Sequence, residues 1–139
     1  MLAVSDDFDN FAATFDAGKC QLVYRVLVAD TQTPVSAYLK LAGEKPNCFL
    51  LESVEGGEIR GRFSVIGLDP DLIWRCRKGQ AEINRTPNGE NKFEADSLPP
   101  LESLRSLMRQ SEMPGTGDLP PMAAGLFGYF SYDMIREIE

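Results

Sequence analysis

The sequence predicts an α+β protein, in which helices are interspersed with β-hairpins. Three observations carry this. Amphipathic helical periodicity recurs in separate stretches. Between them lie apolar runs rich in Val, Leu, Ile and aromatic residues that are too short for helices. The helices and strands also fail to alternate one for one, as a parallel βαβ sheet requires.

The first helix is expected over residues 6–17. Phe8, Phe11, Ala12 and Phe15 recur at the spacing of one helical face, Ser5 or Asp6 can cap the start, and Gly18 suits the stop. That face is expected to be core. Leu22 to Ala29 reads as a strand. A second helix is expected after Thr33 as N-cap, with Pro34 at its first position and Gly43 at its end. Its apolar face is Val35, Tyr38 and Leu41 or Ala42. Strands are expected over Cys48–Val54 and Phe63–Gly67, separated by the acidic turn Glu55-Gly-Gly-Glu58.

Leu72–Cys76 and Ala81–Asn84 read as two arms of a hairpin turning at Lys78-Gly79-Gln80, with Gly79 free to take positive φ. Residues 86–100 read mostly as loop, because Pro87, Asn88, Gly89, Pro99 and Pro100 interrupt them. Leu101, Leu104, Leu107 and Met108 mark a third helix starting near Ser97 to Pro100, and residues 111–121 read as loop. Ala123–Tyr132 reads as a strand in which Gly125 and Gly128 provide close packing or a bend. Asp133–Glu139 reads as the first turns of a helix. It has no C-cap signal and an acidic residue at the unfavourable end of the helix dipole, so the ending is expected to be a cut.

Composition bounds the function. The 139 residues suit one domain, and 43% apolar and 25% charged residues are ordinary for a soluble protein. No apolar run reaches the length of a membrane span, and the acidic start does not resemble a targeting peptide, so a cytoplasmic location and no membrane association are expected. A net charge of -7 argues against nucleic acid as partner, since that needs clustered Lys and Arg. The basic group Arg75, Arg77 and Lys78 is expected to be a solvated strand face opposite Trp74 and Cys76. Cys20, Cys48 and Cys76 are odd in number and far apart, which predicts reduced, buried thiols. The chain contains no histidine, which removes Ser-His-Asp and Cys-His catalysis and makes a zinc site unexpected.

The glycine patterns give no support to nucleotide binding. Gly56-Gly57 and Gly61 are not followed by Lys-Ser/Thr, and Gly125 and Gly128 form no G-x-G-x-x-G. Glu52 and Glu55 lie near Asp69 and Asp71 in sequence, but acidic pairs arise freely in so acidic a chain and are expected to be solvated. Glu52 differs, because it interrupts the apolar strand beside Leu50 and Leu51. A charge there either points outward or meets a cationic group of a ligand.

The stretches Phe49-Leu-Leu-Glu-Ser-Val54, Glu55-Gly-Gly-Glu58 and Gly61-Arg-Phe-Ser-Val-Ile-Gly67, followed by Gly125-Leu-Phe-Gly-Tyr-Phe-Ser-Tyr-Asp133, together resemble the amino-terminal region of anthranilate synthase large subunits. The resemblance implies antiparallel and mixed sheets packed orthogonally with flanking helices, of which residues 1–139 form the amino-terminal regulatory and scaffold region. In that family the large subunit converts chorismate and ammonia to anthranilate and pyruvate with Mg²⁺. A glutaminase partner, component II, supplies the ammonia, and tryptophan inhibits by feedback. Carried over residue by residue, Glu52 faces the ammonium of tryptophan, Ser53 hydrogen-bonds it, Leu51 lines the apolar wall and Arg62 meets the carboxylate. No catalytic or metal residue of the family maps onto this chain, so the chain alone is expected to be inactive and to hold no cofactor. Its open edges are expected to drive self-association. The large subunit of aminodeoxychorismate synthase, a stand-alone amino-acid-binding module, and a purely structural half-domain are the competing expectations.

Overall fold

In the computed structural model, the described residues are 8–52, 63–90, 92–112 and 122–137. They form helices interspersed with antiparallel sheets, the α+β class expected. The chain divides into two compact units, Met1–Asp30 with Leu107–Tyr129, and Thr31–Ser106 with Phe130–Glu139.

The first unit contains α1 (Phe8–Asp16), and Gly18 takes φ +65° just beyond its end, as a helix stop requires. Its phenylalanines do not form a core. Phe8 and Phe15 are 74% and 68% exposed and instead line up along the helix, Phe8–Phe11 with centroids 6.3 Å apart and Phe11–Phe15 at 6.1 Å. Leu22–Ala29 is not a strand. It runs without regular structure apart from one bridge residue, Arg25, and Val23, Val26, Leu27 and Val28 are exposed. β-branched composition fits a pleated surface but does not supply the neighbouring strand that a ladder needs. Ala123–Tyr132 is likewise irregular, and Tyr129 is 92% exposed. Gly125 provides a bend at φ +137°, but neither it nor Gly128 lies in close packing, since a Cβ at either would meet nothing within 4 Å.

In the second unit α2 (Pro34–Ala42) follows the sequence closely. Thr33 Oγ1 accepts from the Ser36 N–H at 3.1 Å, and Ser36 Oγ accepts from the Thr33 N–H at 2.9 Å. This reciprocal capping satisfies two otherwise orphaned donors. Pro34 sits in the first turn and Gly43 closes the helix with positive φ. Of the expected apolar face Ala42 is buried, Tyr38 half-buried, and Val35 and Leu41 exposed.

Helix α2 packs on an antiparallel pair, β1 (Phe49–Glu52) with β2 (Ser64–Gly67). The register pairs Phe49 with Gly67, Leu50 with Ile66, Leu51 with Val65 and Glu52 with Ser64. Gly67 lies under the Phe49 ring, which fills the place a Cβ would need. A three-stranded antiparallel sheet follows: β3 (Ile73–Arg77), β4 (Gln80–Asn84) and β5 (Glu94–Ala95), in that order. The β3–β4 turn is Lys78-Gly79 alone, with φ +52° and +75°. This is the two-residue geometry that matches strand twist, and it places Gln80 in the strand. Strand β5 lies inside the stretch read as loop. It exists because Glu82 and Ile83 pair with Ala95 and Glu94.

The third helix, α3 (Pro100–Gln110), has Ser103 and Leu107 buried and Met108 exposed. The last described stretch is a 3₁₀ helix, Tyr132–Glu137, wound more tightly than the α-helix expected there. The cysteines form no disulfide, but they are not buried as expected: Cys20 is exposed, and Cys48 and Cys76 are half-buried. Residues 53–62, where the Glu55-Gly-Gly-Glu58 turn is expected, and residues 113–121 of the stretch 111–121 expected as loop lie outside the described residues. No helix among the described residues is long and apolar enough to cross a membrane.

Candidate functional site

The end of β1 carries the sequence-predicted site. Side chains alternate along a strand, and directly paired residues share a face, so Glu52 lies on one side with Ser64, Leu50 and Ile66, and Leu51 on the other with Val65. Leu50 and Ile66 are half-buried, whereas Glu52 and Ser64 are exposed. The polar pair thus continues a face whose inner part is apolar. Leu51 is 48% exposed. Among the described residues no ion pair involves Glu52. An exposed carboxylate at a strand end with an accessible apolar neighbour can receive an ammonium group while keeping its hydration until the ligand arrives. Ser53 and Arg62 lie outside the described residues. Ser64, which faces the same side as Glu52, carries no signal of this in the sequence. Only the pairing register, which periodicity does not fix, puts it there.

Of the acidic residues near Glu52 in sequence, Asp69 is exposed, as expected. It receives the Lys45 ammonium at 3.1 Å. The basic face is not simply solvated. Arg75 Nε donates to Glu82 Oε2 at 2.6 Å, and its guanidinium lies 3.4 Å from the centroid of the Phe93 ring.

Sequence reasoning also missed a polar network. Trp74 Nε1 donates to Ser103 Oγ at 3.0 Å, and Ser103 Oγ donates to Asp96 Oδ2 at 2.6 Å. Asp96 Oδ1 accepts from the Leu98 N–H at 3.2 Å, and its backbone is tied to Ala81 and Gln80. The clue in the sequence is a serine on the face of α3 that also carries Leu107. The Ser103 hydroxyl, then the Leu98 N–H, hold the Asp96 carboxyl below its ordinary value. A depressed carboxyl stabilises the fold fully above its unfolded value of about 3.9, and that contribution fades as pH falls through the lower folded value. Acid titration followed by fluorescence of Trp74, the single tryptophan, should show this loss, and Asp96→Asn should remove that part of the pH dependence. An unchanged acid limb in Asp96→Asn would mean that the network contributes nothing.

Fold and site define an α+β protein with an acidic, apolar-flanked strand end. The chain is 50% identical over 133 residues to anthranilate synthase component 1 of Cereibacter sphaeroides, covering 95% of this chain and 27% of that protein. It is 38% identical over 137 residues to the protein of the same name from Synechocystis sp., covering 98% and 26%. With that of Mycobacterium tuberculosis it shares 42% over 122 residues, covering 84% and 23%. No family profile and no solved structure matches the chain. The resemblance to the anthranilate synthase large subunit is therefore shown across nearly the whole chain, which spans about a quarter of the length of the curated relatives it matches.

Proposed function

We propose that this chain is the amino-terminal regulatory and scaffold region of an anthranilate synthase component 1. The whole enzyme converts chorismate and ammonia to anthranilate and pyruvate in tryptophan biosynthesis. The observation that carries this is the 50% identity to a protein of that name over 95% of the chain. In the proposal the whole enzyme works in the cytoplasm, requires Mg²⁺, and receives ammonia from a glutaminase partner, component II. The reaction centre lies in sequence beyond these 139 residues, which alone turn over no chorismate.

The regulatory role rests on the strand end. Glu52 would accept the tryptophan ammonium, Ser53 would hydrogen-bond the amino acid, Leu51 would line the indole slot, and Arg62 would meet the carboxylate. The exposure of Glu52 supports this, because a ligand can reach its carboxylate; Leu51 is also exposed, on the opposite face of the strand. The numbers explain why these residues need the rest of the enzyme. Hydrogen bonds to charged groups are worth about 1.5–3 kcal/mol each. A micromolar ligand needs about 8 kcal/mol net, on top of an association cost of at least about 4 kcal/mol.

Product analysis of the full natural chain with chorismate, Mg²⁺ and ammonia tests the activity. Anthranilate with an equal amount of pyruvate is the expected result. An aminated product that keeps its enolpyruvyl group would instead assign the aminodeoxychorismate branch.

Exposed Val23, Val26, Leu27, Phe127 and Phe130 support self-association of the isolated 139 residues. Sedimentation velocity should show species larger than 15.4 kDa. A monodisperse monomer would refute it.

A further inference from the structure

We infer that Asn88 is a self-modification site, at which the side-chain amide is lost by cyclisation onto the backbone nitrogen of Gly89. Asn88 and Gly89 are exposed and close the turn Thr86-Pro87-Asn88-Gly89, in which the Gly89 N–H donates to the Thr86 carbonyl at 3.0 Å. The other four asparagines, Asn10, Asn47, Asn84 and Asn91, are followed by Phe11, Cys48, Arg85 and Lys92. Glycine alone has no Cβ to crowd the approach of its nitrogen to the preceding side chain, and its backbone turns most freely. The amide of Asn88 is lightly held, since its Nδ2 donates to the Pro70 carbonyl at 3.4 Å, beyond the usual range for such bonds. Asn84 makes the contrast: it is fully buried, and its Oδ1 accepts from the Thr86 N–H at 2.8 Å.

The chemistry balances with water alone. The Gly89 nitrogen gives its proton to a solvent base and attacks Asn88 Cγ. The N–Cγ bond forms, the Cγ–Nδ2 bond breaks, and the departing nitrogen takes up a proton and leaves as ammonia. The five-membered imide then adds one water. Opening at one carbonyl yields aspartate, and opening at the other yields isoaspartate, with the main chain routed through the side-chain carbon. The Thr86 carbonyl competes for the Gly89 N–H, so the turn must first open. Exposed turns open at the low end of the free-energy range.

The product differs from its parent in two ways. A carboxylate at residue 88 cannot donate to the Pro70 carbonyl. An isoaspartate adds one carbon to the backbone of a turn whose Pro87 carbonyl also accepts from Asn47 Nδ2 at 3.4 Å. The contacts of this turn with Pro70 and Asn47 are thereby loosened, and the chain becomes one charge more acidic.

The test is to hold the folded, full natural chain at slightly alkaline pH and map its peptides by mass spectrometry over time. An isoaspartyl methyltransferase then marks isoaspartate. Asn88 should lose its amide ahead of the other four asparagines, and isoaspartate should accumulate there. Gly89→Ala should slow the loss to the level of the others. Its φ lies outside the left-handed region and an added Cβ meets only the Thr86 carbonyl at 3.7 Å, so the fold accommodates it. Asn88→Gln, one methylene longer, should abolish methylation at residue 88 and serves if the first variant fails to fold. An Asn88 amide that survives as long as that of Asn47, or isoaspartate at residue 88 undiminished in whichever variant folds, would overturn the inference.

Discussion

Exchange of Glu52 for glutamine in the full natural chain should raise the tryptophan concentration needed for half-inhibition about ten- to a hundredfold, the equivalent of one charge-assisted hydrogen bond. Turnover without tryptophan should stay unchanged. Glutamine keeps the size and one acceptor oxygen but not the charge that attracts an ammonium. The structure also makes this a clean exchange, because Glu52 is exposed and ends a strand. Surface substitutions of this kind change stability by about 0.5 kcal/mol or less. Inhibition curves at several tryptophan concentrations, with an unfolding curve for each protein, decide the matter. A large fall in unfolding midpoint with unaltered inhibition would assign Glu52 to holding the strand end and remove it from the effector site.

The second large effect is on stability. Ser103→Ala should destabilise the fold by about 1–3 kcal/mol, the worth of the hydrogen bonds it makes to the half-buried Trp74 and to the Asp96 carboxylate. One hydroxyl serves two neighbours, accepting from Trp74 Nε1 and donating to Asp96, and Ser103 itself is fully buried. Denaturant unfolding monitored at Trp74 gives the number. Adding Trp74→Phe to Ser103→Ala removes the orphaned donor as well, so the double variant should fall short of the sum of the two single losses. A loss below about 0.5 kcal/mol, the range of an ordinary surface change, would show that the hydroxyl is dispensable.

Some of this was legible in the residues and some was not, for identifiable reasons. Thr33, Pro34 and Gly43 act on their own backbone, so the ends of α2 could be read locally. Gly79 likewise announced the turn between β3 and β4. Leu22–Ala29 and Ala123–Tyr132 have the composition of strands, yet a strand is defined by its partner, and composition does not show whether a partner is paired. Strand β5 is the converse, two residues in a Pro-, Asn- and Gly-rich stretch that only pairing with β4 reveals. Glu52 stood out because a charge interrupts an apolar run. Ser64 opposite it, Phe93 beneath Arg75, and Asp96 beside Ser103 are brought in by register and packing between segments distant in sequence. The Phe8, Phe11 and Phe15 face shows a further limit, since periodicity locates an apolar face without saying that anything covers it.

The two-residue turn at Lys78-Gly79 bears on the order in which the chain folds. Closing so short a loop costs little conformational entropy, and hairpins of this kind form within about 1–10 μs. The bond from Trp74 to Ser103 spans 29 positions and waits on the slower docking of α3. The β3–β4 hairpin is therefore ready early, as a template whose edge β5 can join and against which the serine later finds the indole.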